Sequence, residues 1–261
     1  MKAITLIITL FLLPVYLKCQ KKKIVYDFSC MESSTTNWLS DMEKKLFETY
    51  GSDVSLSEEI ALGATLLKEC RKEYKFIESG AEIENLKKIL RSLNSQIKNP
   101  KGFKYKIYYF DDKMINAFTA GGNIFFSSGM YKFCKDKNEI ASIIGHEISH
   151  NELGHIKQNI SKAKTYDYYF GKDFGEFTLI IANLLTMSFN QKNETHCDMV
   201  GIDLAQSAGY KTCKTISLWL RMKENEGEES DLSFLSTHPY SGRRADCARL
   251  HLQKNYNINC E

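Results

Sequence analysis

Residues 142–155 read SIIGHEISHNELGH, and three of the chain's six histidines fall inside this stretch. His146 and His150 are four apart, so on a helix both imidazoles project from one face and can meet a single ion. Glu147 lies about 100° further round the axis, beside such an ion rather than under it. A carboxylate there can take a proton from a water that the metal activates, which is the physical content of an HExxH pattern. Two histidines satisfied by local hydrogen bonds on a polar helix face are the plainer reading of the same residues. The segment from Asn138 to about Ile160 carries Ile140, Ile143, Ile144, Ile148, Leu153 and Ile156 at the spacing of one continuous helix.

A catalytic zinc site needs a third protein ligand. Downstream, NETHCDMVGIDLAQSAGY (193–210) offers Glu194 and Asp198, again four apart on an expected helix. Glu194 would reach the ion, and Asp198 would hold the far nitrogen of a ligand histidine and fix its tautomer. An exposed acidic helix face is the alternative for this pair.

Around these segments the hydrophobic period changes twice. Trp38–Tyr50 and Ser55–Glu78 read as helices, the second capped by Ser55 or Ser57. AEIENLKKILRSLNSQI (81–97) has helical spacing, and NPKG (99–102) ends it. KYKIYYF (104–110) alternates and reads as a strand, and NAFTAGGNIFFSSG (116–129) as a strand, a Gly121-Gly122 turn and a second strand. EFTLIIANLLTMSF (176–189) is an apolar helix short for a bilayer, serving as a core helix or as a groove or membrane-facing one. Helices bracketing a small sheet make the fold α+β.

With 261 residues, 43% of them hydrophobic, the chain can bury a sizeable core, and a net charge of +3 makes no case for a nucleic-acid surface. The N-terminus, MKAITLIITLFLLPVYLKCQKKK, has an apolar run from Ala3 to Leu17 that fits an export signal or a membrane tether. The lysines after that run oppose export. Cys19 adds a lipoprotein reading, although YLKC matches a lipobox only in its cysteine and an offset leucine. Cys30, Cys70, Cys134, Cys197, Cys213, Cys247 and Cys260 remain, an odd number, so at least one thiol stays free or pairs with another chain. Disulfides fit an exported protein, and no CxxC pair suggests a cysteine zinc cage.

From about Leu56 to Leu252 the chain resembles the M48 metallopeptidases, the gluzincin group that includes the CAAX prenyl protease, the bacterial heat-shock membrane protease and soluble periplasmic relatives. The resemblance is carried by SLSEEIALG (55–63), DDKMINAFTAGGNIFFSSGM (111–130), HEISHNELGH (146–155), Glu194 with Asp198, and THPYSGRRADCARL (237–250), in that order. It implies a mostly helical, zincin-like domain whose small β-sheet carries a substrate-pairing edge strand, Asn116-Ala117-Phe118. It implies one Zn²⁺ per chain on His146, His150 and Glu194, with Glu147 as general base, Asp198 behind the ligands and His155 a non-ligand neighbour. His238 falls on a family histidine near the metal, as a fourth ligand or a contact to the transition state; a His-Pro turn that only packs is the alternative. Arg244 falls on a family arginine that orients Glu147 or the carboxylates, or else lies solvated on the surface. Cys197 stands where the family usually has alanine, and His196 lies in the same turn.

The expected organisation is a signal peptide or tether (1–19), a polar lead-in (20–54), the peptidase domain (55–252) and a short tail (253–261). The expected function is a zinc metalloendopeptidase acting on extended or unfolded proteins in quality control or processing. It would be extracytoplasmic, secreted or periplasmic, with a membrane tether at the N-terminus or a lipid on Cys19 as options. An exopeptidase, a chaperone-like peptide-binding protein and a membrane-tethered assembly factor are the alternatives. Oligomeric state, cleavage preference and disulfide pairing are not legible in the residues.

Overall fold

A capping box opens α1 (Leu56–Glu73), the first helix of the described residues: Glu58 N donates to Ser55 Oγ at 3.2 Å, and Ser55 N donates to Glu58 Oε2 at 2.8 Å. The computed structural model describes residues 23–31, 53–170, 189–225, 234, 238 and 241–260. The expected helices at 38–50 and over most of 176–189 lie outside these residues, as do the N-terminal apolar run and Cys19.

Helix α1 stops at Glu73 rather than reaching Glu78. Tyr74 is extended, and β1 (Lys75–Phe76) pairs antiparallel with Asp111 and Phe110 of β2 (Lys106–Asp111). Phe76 meets the rings of Tyr108 and Phe110, and the Arg71 guanidinium covers its face at 4.8 Å. Strand pairing and ring packing thus override local helix propensity. The next helix, α2 (Ala81–Asn94), buries Ile83, Leu86, Ile89, Leu90 and Leu93, the stripe its spacing predicts.

The remaining strands are β3 (Ala117–Ala120) and β4 (Asn123–Ser127), joined through Gly121 and Gly122, whose φ values of 57° and 83° form the expected turn. The sheet order is β1-β2-β4-β3. Strand β4 pairs parallel with β2, Ile107 opposite Ile124, and antiparallel with β3, Phe118 opposite Phe125. Among the described residues β3 therefore has a strand on one side only.

Short α3 (Ser128–Phe133) leads into α4 (Lys137–Leu153), whose N-terminus Asp136 caps through Asn138 N and Glu139 N. Every residue of α4 from Glu139 to Asn151 is buried, which makes it the central helix of the domain. The single helix expected through Ile160 is broken at Gly154, which ends α4 in the left-handed conformation (φ 79°). A new helix, α5 (His155–Phe170), starts at the next residue. Helices α6 (Gln191–Ser207), α7 (Cys213–Glu224) and α8 (Ser241–Tyr256) follow among the described residues. The main core joins α2, α4, α6, α7 and α8 to one face of the sheet; a smaller one lies under α1 and α5.

Residues 23–31 strap the outer faces of α6 and α8. Asn255 exchanges side-chain hydrogen bonds with the Val25 backbone, Tyr26 donates to Asp203, and Cys30 is bonded to Cys247. A second disulfide ties Cys213, at the start of α7, to Cys260. Cys70, Cys134 and Cys197 are buried free thiols. No helix among the described residues is long and apolar enough to cross a membrane.

Candidate metal centre

Helices α4 and α6 cross at two glycines. A Cβ on Gly145 would lie 3.0 Å from the Gly201 carbonyl oxygen, and one on Gly201 would lie 2.9 Å from the Gly145 carbonyl carbon. Only glycine permits backbones this close, and the contact sets the acidic residues of α6 against the histidines of α4. His146, His150, Glu194 and His238 present one donor atom each within 4.8 Å of one another, all buried.

His146 Nε2 and His150 Nε2 are 2.9 Å apart and face each other. Glu194 lies between them, Oε2 at 3.4 Å from His146 Nε2 and Oε1 at 3.4 Å from His150 Nε2. His238 Nδ1 closes the group, 3.2 Å from His146 Nε2 and 3.1 Å from Glu194 Oε2. On its other side His238 Nε2 is 3.7 Å from Glu147 Oε1. That oxygen is buried and has no hydrogen-bond partner among the described residues.

Behind these atoms a second layer fixes them. Asp198 Oδ1 lies 2.9 Å from His146 Nδ1. The guanidinium of Arg244, fully buried, donates from Nε to Asp198 Oδ2 at 2.7 Å and from Nη2 to Asp198 Oδ1 at 2.8 Å. Its Nη1 pairs with Glu194 Oε2 at 3.0 Å and donates to the His238 carbonyl at 3.1 Å. The sequence leaves Arg244 orienting Glu147, orienting the carboxylates or solvated on the surface; here it is buried and pairs with Glu194 and Asp198. Trp219 supports it from beneath, its ring 3.6 Å from the guanidinium carbon.

The electrostatics follow from burial. Desolvation raises the Glu147 carboxyl above its usual range, although His238 and His146 oppose the shift. Burial and Arg244 disfavour a charged His146, yet Glu194 and Asp198 together hold its imidazole up to about 9. Glu194, despite its own burial, is held well below the usual carboxylate range by His238, Arg244 and His146. Burial drives His150 well below its ordinary value and His155 down to about 3.

The donor set suits a dication. Three buried carboxylates, Glu147, Glu194 and Asp198, stand against one buried guanidinium, Arg244. Two imidazole nitrogens facing each other with a carboxylate between them are a nitrogen–oxygen set of the kind zinc takes. The orphaned Glu147 Oε1 lies beside the cluster, on the His238 side.

The structure thus brings together His146, Glu147, His150, Glu194, Asp198, His238 and Arg244. Of the expected edge strand, Ala117 and Phe118 lie in β3, and Asn116 directly precedes it. Asn116 Oδ1 is buried without a partner. Asn151 ties this strand to the histidine helix, donating to Thr119 Oγ1 at 2.7 Å and accepting from Gly122 N at 3.1 Å. His196 turns away from the cluster and packs on Tyr26 and Phe28 of the strap. Cys197 lies behind the site, 3.2 Å from His155. Sequence reasoning missed Trp219 and Asn151. Asn151 carries a weak signal, an amide next to a ligand-type histidine, and Trp219 carries none.

The family model of Peptidase family M48 matches residues 81–250. The chain is 27% identical over 186 residues to "Mitochondrial metalloendopeptidase OMA1" of Saccharomyces cerevisiae, covering 63% of this chain and 53% of that protein. It is 27% identical over 179 residues to "Metalloprotease LoiP" of Escherichia coli, covering 64% and 69%. To "Beta-barrel assembly-enhancing protease" of Escherichia coli it is 24% identical over 181 residues, covering 61% and 36%. The chain spans about half the length of the first of these proteins.

Proposed function

The chain belongs to peptidase family M48, and on that premise we propose that it is a zinc-dependent endopeptidase that cleaves extended or unfolded polypeptides. The observation that carries this reading is the buried Glu147 Oε1, which has no hydrogen-bond partner among the described residues and lies 3.7 Å from His238 Nε2 of the donor cluster. A purely structural metal site has no use for such a carboxylate. A peptidase needs one as its base.

Zinc is the metal of this family, and here His146, His150 and Glu194 would hold it. When bound it supplies a Lewis acid that polarises the scissile carbonyl and acidifies a water toward a pKa of about 7. The chain's own residues do the rest. Glu147 Oε1 takes the proton of the attacking water and returns it to the leaving amine. His238, between Glu147 and Glu194, can donate toward the developing oxyanion. Arg244 and Asp198 keep Glu194 and His146 in place.

Strand β3 supports the substrate class. With a strand on one side only among the described residues, it can pair with the backbone of an extended peptide. Such pairing reads little side-chain identity, which suits unfolded chains. The disulfides Cys30–Cys247 and Cys213–Cys260 favour an oxidising, extracytoplasmic compartment, where quality control or processing of exported proteins is the role this site fits.

Metal analysis paired with casein hydrolysis tests the reading. Glu147→Gln should keep about one zinc per chain and lose at least about 100-fold in turnover, whereas His146→Ala should lose both. A Glu147→Gln protein that cuts casein as fast as wild type would remove the assigned base.

A further inference from the structure

The two histidines of α4 have different neighbours behind them. His146 Nδ1 lies 2.9 Å from the Asp198 carboxylate. His150 Nδ1 lies 3.3 Å from His155 Nδ1, and the Cys197 sulfur lies 3.2 Å from that same His155 nitrogen. His150, His155 and Cys197 are all buried. A histidine that offers Nε2 to a metal keeps its proton on Nδ1 and must place that proton on an acceptor. For His150 the ring nitrogen in reach is His155 Nδ1, which can accept only if its own hydrogen sits on Nε2.

We propose that His155 is a positioning residue of the metal centre, its Nδ1 accepting the outer proton of His150 and holding that imidazole toward the ion. The proposal rests on the reading of His146, His150 and Glu194 as ligands. Backbone geometry is arranged for it. Five residues on from His150, an unbroken helix would place a side chain about 140° round the axis. The left-handed Gly154 breaks α4 one residue earlier, and the first residue of α5 comes back to face His150.

Charge explains why the acceptor is an imidazole. Glu147, Glu194 and Asp198 against Arg244 leave a deficit that one dication neutralises. A carboxylate behind His150, matching Asp198 behind His146, would add a further negative charge to a buried site. His155 accepts the proton without adding one. The Cys197 thiol is a weak donor competing for the same lone pair. Small and uncharged, it leaves the His150–His155 contact in place.

The test is zinc affinity of the full chain, by competition with a chromophoric chelator, alongside the thermal midpoint of the metal-free protein. His155→Leu removes the acceptor; His155→Asn keeps an oxygen close to where Nδ1 sits. His155→Leu should bind zinc roughly 10- to 100-fold more weakly, His155→Asn should recover most of that loss, and the metal-free midpoints should match. Leu-variant affinity within about twofold of wild type, against the 10-fold minimum expected, overturns the proposal, as does an Asn variant no tighter than Leu. Should His155→Leu fail to fold, nitrogen-15 NMR of the zinc-loaded wild type decides: hydrogen on His155 Nε2 supports the proposal, hydrogen on Nδ1 overturns it. A wild type that binds no zinc would instead sink the ligand assignment itself.

Discussion

Gly145 and Gly201 face each other where α4 and α6 cross: a methyl on Gly201 would lie 2.9 Å from both the Gly145 carbonyl carbon and the His146 backbone nitrogen. The contact sits one residue from His146 and three from Asp198, so the distance between the helices is also the distance between the histidines and their carboxylates. Gly201→Ala is expected to push α6 outward. Overpacking of this kind costs about 1–3 kcal/mol, and the displacement should also weaken zinc binding, because Glu194 and Asp198 move with the helix. Urea denaturation and zinc titration of the same variant check both halves. A variant of wild-type stability and zinc affinity would show that the crossing can relax without disturbing the site.

Arg244 is a buried guanidinium that pairs with both Glu194 and Asp198. Removing one partner of a buried ion pair strands the other, at about 3–5 kcal/mol. Arg244→Met should therefore destabilise the metal-free protein by roughly that amount, and less when zinc is present, since a dication offsets the same carboxylates. Arg244→Lys should not restore wild-type behaviour, because an ammonium cannot span both carboxylates as the planar guanidinium does. Unfolding curves with and without zinc measure the difference. Equal losses in the two conditions would mean that Arg244 and the metal do not share their partners.

Glu59 makes a prediction about pH. Its side chain is buried, Oε1 has no partner, and desolvation raises its pKa to about 7 against the pull of Lys101 and Lys157. The folded pKa is raised above the unfolded value of 4.5. Below 4.5 both states hold the proton and Glu59 carries no penalty. As pH rises toward 7 the unfolded chain ionises while the fold resists, and stability falls. Glu59→Gln, which mimics the protonated form, should match wild type near pH 4.5 and become progressively more stable than it up to about pH 7, then hold that advantage. Denaturation midpoints at pH 4.5, 6 and 8 measure the gap; a gap independent of pH would mean that Glu59 titrates normally.

Much of the site was legible because helix geometry fixes relations within a segment. Once 138–153 is helical, His146 and His150 must share a face, and the same holds for Glu194 and Asp198. Relations between segments were not legible. Nothing in KYKIYYF says that it pairs parallel with 123–127, and the facing of Gly145 and Gly201 acquires meaning only when α4 and α6 touch. The break at Gly154 left a trace, a glycine at the end of an apolar run, but the isoleucine spacing continuing to Ile160 masked it. Lys75-Phe76 reads as helix because the strand partner of Phe76, Phe110, lies 34 residues away. Cysteine pairing had no local signature at all.

The pairing of Cys30 with Cys247 leads to the last expectation. This bond closes a loop of 217 residues and fastens the strap to α8, three residues from Arg244. Around it lie the Asn255–Val25 hydrogen bonds, the stacking of Tyr26 on His251 and the Lys254–Asp27 pair at 2.8 Å. These contacts are partly exposed, and a solvated ion pair stabilises little, so they hold the strap only weakly once the covalent tie is cut. Cys30→Ser with Cys247→Ser should lower stability by about 2–5 kcal/mol and open 23–31 to limited proteolysis. The fold beneath should persist, because Arg244 keeps its buried partners on α6. Casein hydrolysis well below the new melting point should therefore remain near wild type. If activity collapsed while the protein stayed folded, the strap would be holding the catalytic helices in place rather than only covering them.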